Sequence, residues 1–319
     1  MSAATGPETG RAAPGPAVSG MRVGLGLLLG VIVVLVLVLD ALLGEKEAFR
    51  AAAPGTGLLL AALAAGALRE FYALIGRAGV PSLPGHGAAA AFAVLALRAL
   101  LPAAGVRGGD AAALALAGLL LAVLLPAAER IAWRRPGEGE GAPAASAADL
   151  RPLAGTALGL VAVGLPMALI LELRLCPPVD GMRGPAPHGL VLITMLAVSC
   201  KVGDSAAYFV GRTLGKRPLC WVSPKKTWEG AAAGLLAGTA AAAALGAAFG
   251  LALPHGLAFG LVVNLAGQGG DLLESWLKRC CGTKDSGNGF GEMGGVLDLV
   301  DALLLAGPAG WLFHRVVLA

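Results

Sequence analysis

Asp271 to Asp301, DLLESWLKRCCGTKDSGNGFGEMGGVLDLVD, is the stretch on which the reading of the whole chain turns. It holds four Asp, two Glu, two Lys and one Arg, between flanking segments dominated by Ala, Leu, Val and Gly. A charged side chain facing lipid at mid-bilayer costs about 2.5–3.5 kcal/mol or more, so such groups face a cavity, a partner or an ion. Asp271, Ser275 and Lys278 recur at i, i+4 and i+7, one face of a helix that continues the preceding apolar segment. Asp298 and Asp301, at i and i+3, share a face of the helix that follows. Between them lie Gly282, Gly287, Gly289, Gly291, Gly294 and Gly295, where backbone amides can approach an anion without a Cβ in the way. Three carboxylates beside such a loop suit divalent-metal-assisted phosphoryl or nucleotidyl transfer, because hard oxygens hold Mg2+ while Lys and Arg neutralise phosphate oxygens. Solvated charge at two helix ends explains one such Asp but not the set.

Composition sets the class. The 319 residues are 57% hydrophobic and 14% charged, with a mean hydropathy of +0.78, whereas a soluble domain is about a quarter charged. The expected fold is an all-α polytopic integral membrane protein. Net charge is only +4, and the stacking aromatics and long basic runs of a nucleic-acid binder are missing. Residues 1–20 read as a disordered tail, rich in Ala, Gly, Pro, Ser and Thr without periodicity. The apolar run 23–43 is long enough to cross a hydrocarbon core and too long for a cleaved signal peptide, and is expected as the first retained span, with Asp40 interfacial in its last turn. Further spans are expected at 56–76, 87–104, 110–128, 152–173, 188–211, 230–252, 255–274 and 296–316, about nine in all. Arg69, Glu70, Phe71, Tyr72, Leu74 and Arg77 suit an amphipathic end to the second span, lying at the interface. The polar linker 136–150 divides N-terminal helices at 21–135 from a C-terminal catalytic region at 151–319.

Basic residues in short loops set the orientation. With the N-terminus inside, sixteen Lys and Arg fall on inner segments and five on outer ones. The charged run and a polar cavity then face the cytoplasm.

A second polar island, KVGDSAAYFVGRTLGKRPLCWVSPKKTWEG at 201–230, precedes the first. Lys201 and Asp204 interrupt an apolar span, and Gly203 beside Asp204 predicts a broken helix lining a cavity. Ser223, Lys225, Lys226 and Thr227 put two hydroxyls and two ammoniums in a turn just before the next helix, a phosphate-attracting arrangement. A loop meeting anionic lipid is the competing reading for its lysines. The five cysteines form no CxxC pair and the four histidines lie in separate segments, which indicates neither a disulfide framework nor a zinc site.

Both islands resemble the phosphatidate cytidylyltransferases, also called CDP-diacylglycerol synthases. The resemblance rests on Ser275, Lys278-Arg279, Lys284-Asp285, Gly294-Gly295, Asp298 and Asp301, and on Gly203-Asp204-Ser205, Ala207-Tyr208, Gly211-Arg212 and Ser223 through Gly230. It covers residues 200–319; the N-terminal half matches only as hydrophobic spans. Gly291-Glu292-Met293 replaces the family's Pro-Gly-His, and Leu299 stands where the family has Arg. The resemblance implies cytidylyl transfer from CTP to phosphatidate in a bacterial inner (cytoplasmic) membrane. It implies Mg2+, with K+ alongside, on Asp271, Asp298 and Asp301. Lys278, Arg279 and Lys284 would hold phosphates, with Ser223, Lys225, Lys226 and Thr227 over the nucleotide. Asp285 and Asp204 would be a further ligand or partners of the lysines, beside Ser275, Gly294 and Gly295. Two other readings stay open: a CTP-dependent kinase of a polyprenol or similar lipid alcohol, which needs a general base, and a transporter relaying charge through Asp204, Lys201 and Asp271. Oligomeric state is open too, a homodimer included.

The orientation is directly testable. Residues 129–151 and 275–295 are expected on the cytoplasmic side and 174–187 on the other, so a single-cysteine accessibility scan should place Ala144 and Gly181 on opposite faces. Finding both on one side would defeat the arrangement.

Overall fold

A computed structural model describes residues 53–100, 147–183, 187–283 and 295–318, together with 35, 36, 39, 40 and 118. The tail at 1–20, most of the expected spans at 23–43 and 110–128, the start of the 136–150 linker, and the loop with Lys284, Asp285 and Gly294 lie outside the described residues. All regular elements among the described residues are helical: α1 (Pro54–Arg77), α2 (Pro84–Leu100), α3 (Ala147–Gly159), α4 (Leu165–Arg174), α5 (His188–Leu214), α6 (Trp228–Ala248), α7 (Leu253–Cys280) and α8 (Val296–Phe313). A π turn at Leu160–Gly164 joins α3 to α4, and another follows α8 at His314–Leu318. Five helical segments among the described residues are long and apolar enough to cross a membrane: Pro54–Arg77, Leu150–Arg174, His188–Leu214, Trp228–Ala248 and Val296–Leu318. The chain is an integral membrane protein. The longest helix, α7, is not one of the five, because Asn264, Gln268 and several glycines dilute its apolar residues.

The π turn has a local cause. Pro166 has no N–H to offer the carbonyl four residues before it, and the helix absorbs the lost bond as one wide turn in which Leu165 N–H reaches Leu160 O.

Helices α5 and α6 pack with backbones almost touching. A Cβ on Gly234 would sit 2.7 Å from Gly203 O, and one on Gly230 2.6 Å from Ala207 O. Small residues at i, i+4 and i+8 on α6 (Gly230, Gly234, Gly238) allow this approach, the usual way apolar helices associate where lipid offers no hydrophobic drive. The same packing corrects the expectation of a break at Gly203: α5 is continuous from His188 to Leu214, and the missing side chain makes room for Gly234 and Asn264.

Two other expectations are revised. The end of α1 is not an interfacial surface, since Phe71, Tyr72, Leu74 and Ile75 are all buried against protein. Tyr72 donates its hydroxyl hydrogen bond to Thr156 O at 2.9 Å, and the ring fits because Gly87 and Gly159 flank it. Asp40 is 3% exposed, buried against protein. It caps α1, whose own N-terminal residue Ala53 sits in the left-handed region and offers no side-chain cap. Asp40 accepts from Gly55 N–H at 2.8 Å, Thr56 N–H at 2.7 Å and the Thr56 hydroxyl at 2.5 Å.

Asp40→Ala strands these donors in a buried place and is expected to cost about 1–3 kcal/mol. The readout is a lowered melting temperature in detergent, with residual activity per folded molecule unchanged.

Candidate active site

The site grows from one stripe of α7. Asn264, Gln268, Asp271, Ser275 and Lys278 lie at i, i+4, i+7, i+11 and i+14, so five polar residues follow one another down a single helix face. Asn264 is 2% exposed and donates to Ser199 O at 2.8 Å. Gln268 donates to Asn264 Oδ1 at 2.9 Å and to Ala231 O at 3.1 Å. These amides tie α7 to α5 and α6, and so place the charged lower half of the stripe. They are site-building residues that the sequence reading missed, although the 3–4 spacing that marks Asp271, Ser275 and Lys278 runs back to them.

At Lys278 three charges interlock. Its ammonium lies 2.5 Å from Glu274 Oε2 and 2.6 Å from Asp298 Oδ1, and all three side chains are at most one-fifth exposed. Asp298 Oδ2 accepts the Gly295 N–H at 2.7 Å, and Glu70 from α1 accepts the Leu297 N–H at 2.8 Å. Two otherwise unpartnered amides at the start of α8 are therefore met by carboxylates, which also suit the positive end of the helix dipole. Lys278 lies beyond the candidate spans. Burial disfavours its charged form, but the hydrogen bonds to Asp298 and Glu274 prevail and hold its pKa above the ordinary lysine value. Neither Glu274 nor Glu70 was picked out as a site residue from the sequence; Glu274 sits one turn before Lys278 on the same face, which is the signal that could have found it.

Asp301 sits one turn further along α8 and accepts the Ala302 N–H at 2.5 Å. Helix α8 can lie so close to α7 because Gly270 has no side chain: a Cβ there would be 2.5 Å from Asp301 O. The charges of Asp271, Lys201 and Asp204 all act on Asp301. Lys201 and Asp204, one turn apart on α5, are 4.0 Å from each other.

The basic turn completes the constellation. Leu219 N–H bonds to Lys226 O at 2.7 Å and Trp228 N–H to Arg217 O at 3.0 Å, folding residues 217–228 into a small hairpin. The Thr227 hydroxyl caps α6 by accepting from Gly230 N–H at 3.2 Å, and Ser223 O accepts the Lys226 N–H at 3.0 Å. So held, Lys226 forms an ion pair and hydrogen bond with Asp271. The two polar islands, 45 residues apart in sequence at this contact, meet there. Lys225 and Arg279 are exposed, and Ser223 and Ser275 are half-buried.

Lys201 pairs with Asp204 and Lys226 with Asp271, Asp301 lies on α8 where that helix meets Gly270 of α7, and Asp298 is engaged by Lys278 and the α8 N-terminus. No group of three or more His, Cys, Asp or Glu among the described residues is already arranged around one ion position. The five cysteines are free thiols.

Residues 20–317 match the cytidylyltransferase family. The chain belongs to that family. Among the relatives of this cytidylyltransferase family member is the phosphatidate cytidylyltransferase of Brucella suis biovar 1 (strain 1330), 43% identical over 137 residues, which are 42% of this chain and 51% of the relative. The phosphatidate cytidylyltransferase of Bacillus subtilis (strain 168) is 42% identical over 131 residues, 40% of this chain and 48% of the relative. Phosphatidate cytidylyltransferase 5, chloroplastic, of Arabidopsis thaliana is 35% identical over 144 residues, 44% of this chain and 36% of the relative. The matched part of the chain spans about half the length of the bacterial relatives.

The Lys278 cluster makes a stability prediction. Lys278→Met leaves Glu274 and Asp298 facing each other with no cation and is expected to cost about 3 kcal/mol or more. Adding Glu274→Gln should recover part of that loss in a thermal melt. Additive losses would show that the three groups are not coupled.

Proposed function

We propose that this chain transfers the cytidylyl group of CTP to phosphatidate, giving CDP-diacylglycerol and pyrophosphate for phospholipid synthesis. The observation that carries the reading is the contact of Lys226 with Asp271, which joins a phosphate-attracting basic turn to a carboxylate cluster. The cytidylyltransferase family and the names of the relatives support the same chemistry. The phosphate of phosphatidate attacks the α-phosphorus of CTP; a new P–O bond forms as the bond to the β-phosphate oxygen breaks and pyrophosphate leaves. The nucleophile is already an oxyanion, so the protein needs to position it and neutralise charge and no side chain need attack.

In donor chemistry, though not in an arrangement around one ion position among the described residues, the carboxylates suit a divalent cation. Asp271 and Asp301 supply hard oxygens and, with Asp204, would repel one another unless a cation lay among them. The Lys226 ammonium already fills such a role against Asp271. Asp271 and Asp301 would hold Mg2+, with K+ alongside, and Asp298 would join them once Lys278 turns to a phosphate. Bound there, Mg2+ would neutralise phosphate oxygens and the departing pyrophosphate. Lys226 exchanges its carboxylate partner for a CTP phosphate, as an ammonium on a flexible stem can. Lys278, Arg279 and Lys284 bind the triphosphate or the lipid phosphate. Ser223, Lys225 and Thr227 close over the nucleotide, beside Ser275, Asp285, Gly294 and Gly295.

The larger frame we propose is about nine spans with the N-terminus inside, in a bacterial inner membrane, and a polar cavity open to the cytoplasm where CTP is found. A tail at 1–20 and a linker at 136–150 flank the N-terminal helices, and the 151–319 region is catalytic.

Purified protein in detergent with labelled CTP, Mg2+ and either phosphatidate or a polyprenol tests the reaction. Pyrophosphate with phosphatidate is the expected result; CDP with the alcohol would mean a lipid kinase, and no CTP turnover would leave a transporter. Lys226→Ala should raise the KM for CTP more than that for phosphatidate; equal effects would return the turn to lipid-headgroup binding. Asp301→Asn keeps shape but removes charge, and should purify normally while losing about two orders of magnitude in turnover, or about 2.7 kcal/mol of transition-state stabilisation. Near-normal Mg2+-dependent turnover would rule out Asp301 as a ligand.

A further inference from the structure

A cavity of about 270 Å³ lies between the π turn, α7 and α8, and also touches Phe71 of α1. Its walls are apolar except for Glu274 and Asp301. Two prolines border it, Pro166 just after the π turn and Pro308 within α8. At the rim, Val161 is 53% exposed, Leu165 39%, Leu273 52% and Leu305 38%. Three of these four belong to candidate spans, so in a membrane the rim meets hydrocarbon. Glu274 is 6% exposed, and its Oε1 is buried without a hydrogen-bond partner.

We infer that this cavity is a lateral port that takes one acyl chain of the phosphatidate substrate, its open rim in the bilayer and its lining carboxylate Glu274 in contact with Lys278. The inference rests on the proposed reaction, and adds to it where the lipid enters and which residues sense the chain. Size decides the occupant: pockets for whole small molecules run to about 300–1,000 Å³, so this one holds a stretch of a single chain and no diacyl lipid entire. Direction follows from polarity, since the chain enters through the apolar rim and the headgroup stops where Glu274, Lys278 and Asp301 begin. A chain moving in from the bilayer leaves no water behind, so the cavity contributes fit and register more than hydrophobic drive. Selectivity is then steric, set by the wall that the π turn presents.

The test uses the full chain in lipid nanodiscs and phosphatidate with a diazirine near the end of one acyl chain. After irradiation, label is expected on residues 161–169 and 304–308. Ala162→Phe, which fills the cavity from its half-buried wall, should reduce that label about five-fold or more and raise the KM for long-chain phosphatidate by a similar factor, with the KM for dihexanoyl phosphatidate and for CTP within about two-fold of wild type. If Ala162→Phe does not fold, Val161→Trp at the exposed rim serves the same purpose. Label concentrated elsewhere, or long and short chains affected alike, overturns the port. Photolabelling needs no turnover, so label at the cavity without cytidylyl transfer would overturn the proposed reaction alone.

Discussion

Lys226 and Asp271 come from different elements, one from a hairpin that caps α6 and the other from the middle of a polar stripe on α7. Their contact brings opposite charges together where the chain would otherwise set a carboxylate among apolar helices. Both side chains are 32% exposed, and an ion pair this open to water contributes little net stability. Such a pair is better explained by what it positions. Here it holds an ammonium against a carboxylate on the charged stripe of α7.

That arrangement depends on backbone proximity. Glycines on α5 and α6 let the two helices approach until Cβ atoms would overlap, and Asn264 and Gln268 fix α7 against them through backbone carbonyls. Gly270 does the same for α8, which delivers Asp301 from its second turn and Asp298 from its first. Two amides at that start are taken by Asp298, which Lys278 of α7 engages, and by Glu70 of α1, so the helix start is anchored to α1 and α7 together. Rigid helices thus carry the carboxylates, while one lysine with a mobile stem spans the gap.

Much of this was legible in the residues because charge in an apolar chain is conspicuous. Asp271, Lys278, Asp298, Asp301 and the Ser223–Thr227 turn stood out, and the structure brings Lys226 to Asp271 and Lys278 to Asp298. Pairing was not legible: nothing in spacing says that Asp298 meets Lys278 and the α8 N-terminus while Asp301 faces the α5 charges. Glycine also misled. Gly203 beside a charge looked like a break, yet its lack of a side chain serves helix packing and α5 continues through it. Tyr72 and Glu70 resembled an interfacial surface because amphipathic periodicity is the same whether the apolar face meets lipid headgroups or protein. Asp40 caps a helix through an amide fifteen residues later, a contact no local pattern encodes.

The central claim is that Lys226 rests on Asp271 and leaves it for the nucleotide. A zero-length carbodiimide coupling of the unmodified protein, read by peptide mass spectrometry, tests both halves at once. An amide bond between Lys226 and Asp271 is expected without nucleotide, and its yield is expected to collapse when CTP and Mg2+ are added. Failure to find that linkage, or a yield that CTP with Mg2+ leaves unchanged, would contradict the account.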